Sequence, residues 1–148
     1  MLRQALVGAG VCACTITIHA LIMTAVVRLA QTLGTRKVWH PWLRLTAVMI
    51  AIVSVLMAAH VCEVLVWAVT YAVVDAAPAG ADVVYFAFVN YTTLGYGDII
   101  PVSRWLLLGP MTAMNGILMF GWSTAVIFEV LRRTMQGADS EHHNAIPP

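Results

Sequence analysis

Seven consecutive residues, Thr-Thr-Leu-Gly-Tyr-Gly-Asp at positions 92–98, carry the most distinctive chemistry in the sequence. Gly95 and Gly97 stand at alternate positions and permit backbone dihedrals that other residues resist. An ordinary extended strand alternates the direction of its carbonyls, whereas such dihedrals allow them to point to one side. A row of carbonyl oxygens followed by the carboxylate of Asp98 can replace the water around a cation. The string therefore predicts a backbone segment that binds a positive ion.

The composition indicates where such a segment would lie. The 148 residues are 61% hydrophobic and 10% charged, whereas soluble domains contain about 25% charged residues. Crossing a bilayer takes about 20 apolar residues, and three stretches are long enough, at roughly 5–29, 45–74 and 105–131. The first is longer than the core of a signal peptide, so we expect a retained membrane helix. A net charge of +1 gives no indication of a nucleic-acid partner.

A segment too short to span lies between the second and third stretches. Pro78 and Gly80 interrupt the chain, and Asp82 is placed to cap a short helix. Residues 83–91 are apolar and aromatic, and their length predicts a re-entrant half-helix that runs directly into residues 92–98.

Cations predict the orientation. Six of the eight lysine and arginine residues would lie on one side of the membrane, and only Arg3 and Arg104 would lie on the other. The larger group consists of Arg28, Arg36, Lys37, Arg44, Arg132 and Arg133. The positive-inside rule then places residues 31–44 and the C-terminus in the cytoplasm, and the N-terminus and residues 75–104 outside. We expect a multi-pass protein of the cell (inner) membrane.

This order of elements resembles the potassium-channel superfamily: an outer helix, a pore helix, a T-x-G-Y-G-D filter and an inner helix, here over residues 45–132. The resemblance implies a selectivity filter in which carbonyl oxygens and the threonine hydroxyl hold K⁺. Asp98 would form the outer mouth, and Leu94 stands where the family often has Val. The implied filter residues are Thr93, Leu94, Gly95, Tyr96 and Gly97.

Four such strands are needed to surround an ion, so the resemblance implies a four-fold symmetric homotetramer. The expected fold is an all-α membrane protein with three transmembrane helices, a re-entrant pore helix and an extended filter. Residues 1–44 would form the first helix and a cytoplasmic loop, residues 45–132 the pore module, and residues 133–148 a short disordered cytoplasmic tail. Beyond K⁺ in the filter we expect no cofactor, and as partners only other copies and membrane lipids.

The third stretch contains residues that suggest gating. Gly116 and Gly121 have a spacing similar to that of inner helices in simple bacterial potassium channels, where glycine allows bending; alternatively, glycine lets helices pack closely. Asn115 either faces a water-filled cavity or bonds between helices. Pro110 could kink the helix. Glu129 either pairs with the following arginines or forms a cation-attracting, pH-sensitive ring.

His60 and Glu63, three residues apart in the second stretch, are ionisable groups at an expensive position. Some family members place an acid four residues before the filter threonine, where this sequence has Val89. His60 and Glu63, together with Thr92, could replace that support. The alternatives are a self-contained pair and a proton sensor. His-x-x-Glu could bind a metal, but no second ligand cluster is visible, and His19 is expected to be packed or hydrogen-bonded.

Other functions remain as alternatives. A weakly selective cation channel usually alters the G-Y-G string, and a non-conducting assembly or sensor subunit would not need an intact filter. No nucleophile and base have the spacing of a catalytic site, so we expect no enzyme. No stretch carries arginine at every third position, so a voltage sensor is not expected, and the gating stimulus is left open.

Overall fold

The computed structural model describes residues 1–34 and 41–144, and the regular elements in these ranges are helices. They are α1 (Leu2–Gly34), α2 (Pro41–Val73), α3 (Val83–Tyr91), a 3₁₀ turn (Ser103–Trp105) and α4 (Leu108–Asn144). Three segments are long and apolar enough to cross a membrane: Leu2–Arg28, Leu45–Val73 and Ser103–Arg133. The three predicted spans are therefore confirmed as helices of sufficient length.

The three long helices pack against one another, and α3 packs between α2 and α4. Two apolar clusters form the core. The cluster beside α3 includes Trp67, Tyr71, Phe86, Trp105 and Leu108. The cluster at the other end joins Met23, Val26, Ile52, Leu56 and Val130. Several buried polar side chains, among them His19 of α1, Glu63 of α2 and Ser123 of α4, lie between the two clusters, so the bundle has a polar layer inside an apolar core.

The short helix α3 begins where the sequence predicts. The Asp82 carboxylate accepts hydrogen bonds from the backbone N–H groups of Val84 (2.9 Å) and Tyr85 (3.1 Å), as a helix cap does. The helix has nine residues, which at 1.5 Å per residue is about 14 Å, under half the thickness of a hydrocarbon core. Its length suits a half-helix rather than a span.

Helix α4 corrects two expectations. Pro110 is its third residue, where the backbone N–H has no helical partner to lose, so the proline does not interrupt the helix. The expected disorder after residue 133 is wrong for residues 134–144, because α4 continues to Asn144. Extending an existing helix requires no new nucleation, and no proline occurs between Pro110 and Pro147.

The loop after α1 is shorter than predicted, since α1 continues to Gly34 and α2 already begins at Pro41. Arg36 and Lys37, two cations used to predict the orientation, lie outside the described residues.

The N-terminal end of α1 lies beside the start of α4. The Leu107 N–H donates to Gln4 Oε1 (2.9 Å), and the Arg3 guanidinium lies 5.2 Å from the centre of the Trp105 ring. The N-terminus and the segment that follows α3 are therefore at the same end of the bundle.

Candidate functional site

Residues 92–98 follow α3 with an unusual backbone. Thr93, Gly95 and Gly97 have φ values of +61°, +57° and +78°, whereas Leu94 and Tyr96 between them do not have positive φ. The two glycines thus adopt the dihedrals expected from the sequence. Thr93 was not expected to do so, because a β-branched residue rarely adopts this conformation. The sign of φ alternates along the segment.

The first part of this segment is tied to the end of α3. Backbone N–H groups that follow the helix donate to its last carbonyls, which would otherwise have no partner. The bonds run from Thr93 to Asn90 (3.0 Å), from Leu94 to Val89 (3.0 Å) and from Gly95 to Val89 (3.3 Å). The hydroxyl of Thr92 donates to the Phe88 carbonyl at 2.7 Å. The helix therefore passes into the segment without an intervening loop.

The far end of the segment is tied to the same helix. The Tyr85 hydroxyl, in the first turn of α3, donates to Asp98 Oδ2 at 2.7 Å. This hydrogen bond raises the pKa of Tyr85 above its usual value, because a phenolate would face the carboxylate. In the resembled family, Tyr85 stands at a position that often carries a Trp behind the filter, but the sequence did not indicate a bond to Asp98. Its hydroxyl is one of three polar side-chain groups in α3, with those of Asn90 and Tyr91.

Gly116 of α4 lies directly behind the end of α3. A Cβ at this position would overlap the backbone carbonyl of Tyr91, the last residue of α3. Close packing, one of the two predicted alternatives, therefore describes Gly116. Gly121 is exposed, and a Cβ there would meet nothing within 4 Å. A hinge at Gly121 stays a prediction.

Asn115 bonds between helices. Its side chain is 1% exposed, and Oδ1 accepts from the Thr15 hydroxyl of α1 (3.0 Å) and from Trp67 Nε1 of α2 (3.0 Å). The cavity-facing alternative is wrong within this chain, because α1 and α2 enclose the amide. Asn115 joins the three long helices at one point.

A closed circuit of buried side chains, which we name the polar ring, joins α1, α2, α3 and α4. His19 Nδ1 lies 2.7 Å from Glu63 Oε1, and the Tyr91 hydroxyl donates to Glu63 Oε2. His60 Nδ1 lies 3.0 Å from the Tyr91 hydroxyl, and His60 Nε2 lies 3.0 Å from Ser123 Oγ. Ser123 Oγ closes the circuit 3.3 Å from His19 Nε2. Glu63 and His19 are fully buried.

The polar ring bears on two of the three interpretations of His60 and Glu63, filter support and a self-contained pair. Glu63 contacts the last residue of α3, as the support hypothesis expects. A self-contained pair is wrong, since His60 Nδ1 is 3.4 Å from Glu63 Oε2 and closer to Tyr91. His19 is hydrogen-bonded as expected, but its place in this cluster was missed because its partner Glu63 is 44 residues away. One donor atom each from His19, His60 and Glu63 lies within 4.8 Å of the others, so the three could in principle hold a metal.

Two further observations concern the 92–98 segment and the charged residues of α4. Leu94 and Tyr96 are 54% and 67% exposed, so their own chain does not pack them behind the segment. Glu129 pairs with Arg132 (2.9 Å) and Arg133 (2.5 Å), which is the local pairing.

Comparison with known proteins supplies the family. A model of an ion-channel domain matches residues 59–133, from the second half of α2 through α3 and the 92–98 segment into α4. The chain belongs to this ion-channel family. Because the ion channel also has three helices able to cross a bilayer, it is a multi-pass membrane protein. No curated protein and no solved structure matched the chain in the other two comparisons.

Proposed function

We propose that this ion channel is selective for potassium, and that residues 92–98 of four copies form its filter. The alternating sign of φ at Thr93, Gly95 and Gly97 is the observation that carries the proposal. Alternation of this kind lets successive carbonyls face the same side, as a filter requires. Carbonyl oxygens of Thr93 to Tyr96, with the Thr93 hydroxyl, would replace the hydration shell of K⁺.

The exposed side chains of the segment support a tetramer. Leu94 and Tyr96 are large, apolar and uncovered in a single chain, and such surface normally lies against another protein or lipid. In a four-fold assembly these side chains would point away from the axis and pack behind the filter. One strand cannot enclose an ion, so closed cyclic symmetry follows from the proposed chemistry.

Electrostatics supports entry of cations. The C-terminal end of α3 carries the negative end of its helix dipole and lies where the segment begins. Asp98 is exposed at the other end of the segment, where Tyr85 orients it. Four copies of Asp98 would form a ring of carboxylates that concentrates cations at the outer mouth.

Flux measurements in liposomes test the proposal. We expect the purified protein to have the mass of four chains and to pass K⁺ and Rb⁺ far faster than Na⁺. Gly95→Ala and Gly97→Ala should abolish this selectivity, because alanine resists a positive φ. Gly10→Ala is the matched control, since a Cβ there meets nothing within 4 Å.

Each alternative function has its own outcome. Equal K⁺ and Na⁺ flux in the wild type would indicate a weakly selective cation channel. A stable protein without flux would indicate an assembly or sensor subunit. Undiminished potassium selectivity in both filter variants would refute the assignment of residues 92–98.

A further inference from the structure

The polar ring has more contacts that need a hydrogen than its side chains can fill when Glu63 is ionised and both histidines are neutral. Its five hydrogen bonds are Glu63–Tyr91, Tyr91–His60, His60–Ser123, Ser123–His19 and His19–Glu63. The 3.4 Å approach of His60 Nδ1 to Glu63 Oε2 is an ion-pair distance and is not counted among them. Each contact joins two electronegative atoms and needs one hydrogen between them. With an ionised Glu63 and two neutral histidines, Tyr91, Ser123, His19 and His60 supply one hydrogen each. Four hydrogens cannot fill five contacts.

The missing hydrogen can be located by following the donors. His19 Nδ1–H and the Tyr91 hydroxyl donate to the two oxygens of Glu63, and His60 Nδ1–H donates to the Tyr91 oxygen. Both Nε2 atoms are then acceptors that face Ser123 Oγ. A serine hydroxyl has one hydrogen, so one buried Nε2 would have no donor within the ring, which is unfavourable for a buried polar atom.

We infer that the polar ring is a binding site for one proton. A fifth hydrogen completes every contact in either of two arrangements. Glu63 stays ionised beside one imidazolium, or Glu63 is protonated beside two neutral imidazoles. Both arrangements have zero net charge, whereas the four-hydrogen ring carries one negative charge inside a membrane-spanning bundle, where an unbalanced charge is costly. The bound proton belongs to the ring as a whole.

The surroundings leave no competing charge nearby. The titratable groups that face the ring are its own: His19 from α1, His60 and Glu63 from α2, and Tyr91 from α3. Helix α4 contributes Ser123 and two aromatic rings, with Trp122 5.4 Å from His19 and Phe120 4.5 Å from His60 between ring centroids. Within the described residues, no other acidic or basic side chain bonds to these four groups.

The distances fit hydrogen bonds better than a metal. Ligand atoms of a tetrahedral metal at about 2.0–2.1 Å lie roughly 3.4 Å apart. His19 Nδ1 and Glu63 Oε1 are 2.7 Å apart, which leaves no room for an ion between them. Each convergent atom already has a hydrogen-bond partner in the ring.

Proton binding would act on the end of α3. Tyr91 is a member of the ring, its carbonyl lies against Gly116, and Thr92 follows it directly. Loss of the proton would leave one contact unfilled in the layer that holds Tyr91. An effect on conduction rests on the proposed function, whereas proton binding itself does not.

The Glu63→Gln variant can keep the five hydrogen bonds of the ring without the added proton. A glutamine offers one amide hydrogen to Tyr91 and a carbonyl to His19, so the five contacts are filled with both histidines neutral and no added proton. The folded wild type would hold one proton more than the folded variant. By linkage, the melting temperature of the wild type minus that of Glu63→Gln should fall as pH rises from about 6 to 9, by roughly a few degrees per pH unit. A difference that is independent of pH would overturn the inference.

Glu129→Gln is the matched control, because it removes a carboxylate from the same bundle outside the ring. The melting temperature of the wild type minus that of Glu129→Gln should not fall as pH rises, unlike the corresponding difference for Glu63→Gln. Added Zn²⁺ at constant pH should not raise the wild-type melting temperature more than that of Glu63→Gln. If it does, the three donors hold a metal and the proton assignment fails.

A spectroscopic test uses a protein with native Glu63, so its result does not depend on how Glu63→Gln folds. Of the five histidines, three lie outside the ring and can be replaced by Gln before ¹⁵N-histidine labelling. At pH 7.5 we expect either one imidazolium with a carboxylate, or two neutral imidazoles with a carboxylic acid in the infrared spectrum. Two neutral imidazoles beside a carboxylate, or two imidazoliums, would overturn the count of one proton.

A flux measurement tests the coupling to conduction separately. Potassium flux through the wild type should decrease at alkaline pH, and flux through Glu63→Gln should not. Equal pH profiles would refute the coupling. Absence of flux in both proteins would refute the proposed function, while the melting and spectroscopic results would still decide the proton site.

Discussion

Glycine has different physical roles at different positions of this ion channel. At Gly95 and Gly97 the backbone itself requires glycine, because φ is positive. At Gly116 the requirement is space, because α3 ends against it. At Gly121 the described contacts show neither requirement. The spacing of Gly116 and Gly121 could not distinguish these roles, since spacing does not show what lies opposite each position.

Gly116→Ala should damage the protein severely. The added Cβ would overlap the Tyr91 carbonyl, which is backbone at the end of α3 and cannot rotate away. Overpacking a core typically costs about 1–3 kcal/mol, and here the displacement also reaches residues 92–98. We expect a melting temperature several degrees lower and reduced assembly. Gly121→Ala, the control, should be neutral or stabilising by up to about 1 kcal/mol. Equal melting temperatures for the two variants would contradict the packing role.

Tyr85→Phe should weaken ion discrimination and leave the fold intact. The variant loses one hydrogen bond to the Asp98 carboxylate. Hydrogen bonds to charged groups are stronger than neutral ones, but solvent exposure at this position weakens this one. We expect a lower K⁺ to Na⁺ flux ratio at an unchanged mass. Tyr71→Phe is the control, because it removes a tyrosine hydroxyl that bonds to Thr112, between α2 and α4 and away from residues 92–98. This variant should alter stability more than selectivity. A flux ratio unaffected by Tyr85→Phe would disprove the orienting role.

Local rules predicted the residues whose partners are near in sequence. Asp82 caps α3 with donors two and three residues away, and the positive φ of both glycines follows from their own chemistry. The partners of His19 and Asn115 are on other helices, 44 and 100 residues away for Glu63 and Thr15. An apolar span of nearly uniform hydrophobicity does not reveal which face meets another helix, so these contacts could not be derived.

Helix α1 is part of the core although the family match begins at residue 59. It contributes His19 to the polar ring and Thr15 to the bonds of Asn115. Met23 and Val26 pack in the apolar cluster at the opposite end from α3. The sequence could predict α1 as a span but not its attachment, because it has no counterpart in the matched family segment.

Deletion of residues 1–34 should prevent a stable assembly. The deletion removes a partner from buried Glu63 and one donor from Asn115, and loss of one partner of a buried charge typically costs about 3–5 kcal/mol. We expect aggregation or a much lower melting temperature, measured by size-exclusion chromatography and thermal unfolding. Deletion of residues 136–148 is the control and should leave the mass and the melting temperature near the wild-type values. A truncated protein as stable as the wild type would show that α1 is dispensable.

At the scale of the whole molecule, the contacts of α1 relate the N-terminus to the filter segment. Gln4 and Arg3 lie against Leu107 and Trp105, at the end of the bundle that holds α3. The paired charges of Glu129 and Arg132 lie at the other end of the membrane-capable segment Ser103–Arg133. In a membrane, the end of the bundle that holds α3 and the end that holds Arg132 must therefore face opposite sides. The positive-inside rule predicts that the end with Arg132 and Arg133 is cytoplasmic.

Cysteine labelling in intact cells tests this orientation. In a background without Cys12, Cys14 and Cys62, an impermeant thiol reagent outside the cell should label Leu2→Cys and Ile100→Cys, which are exposed. It should label Met135→Cys, also exposed, only after permeabilisation. The opposite pattern would mean that the cation count, part of which lies in residues outside the described ranges, misassigned the sides. Labelling of Leu2→Cys and Met135→Cys from one face would show that α1 does not cross the membrane, and the contacts of Gln4 and His19 would then require another explanation.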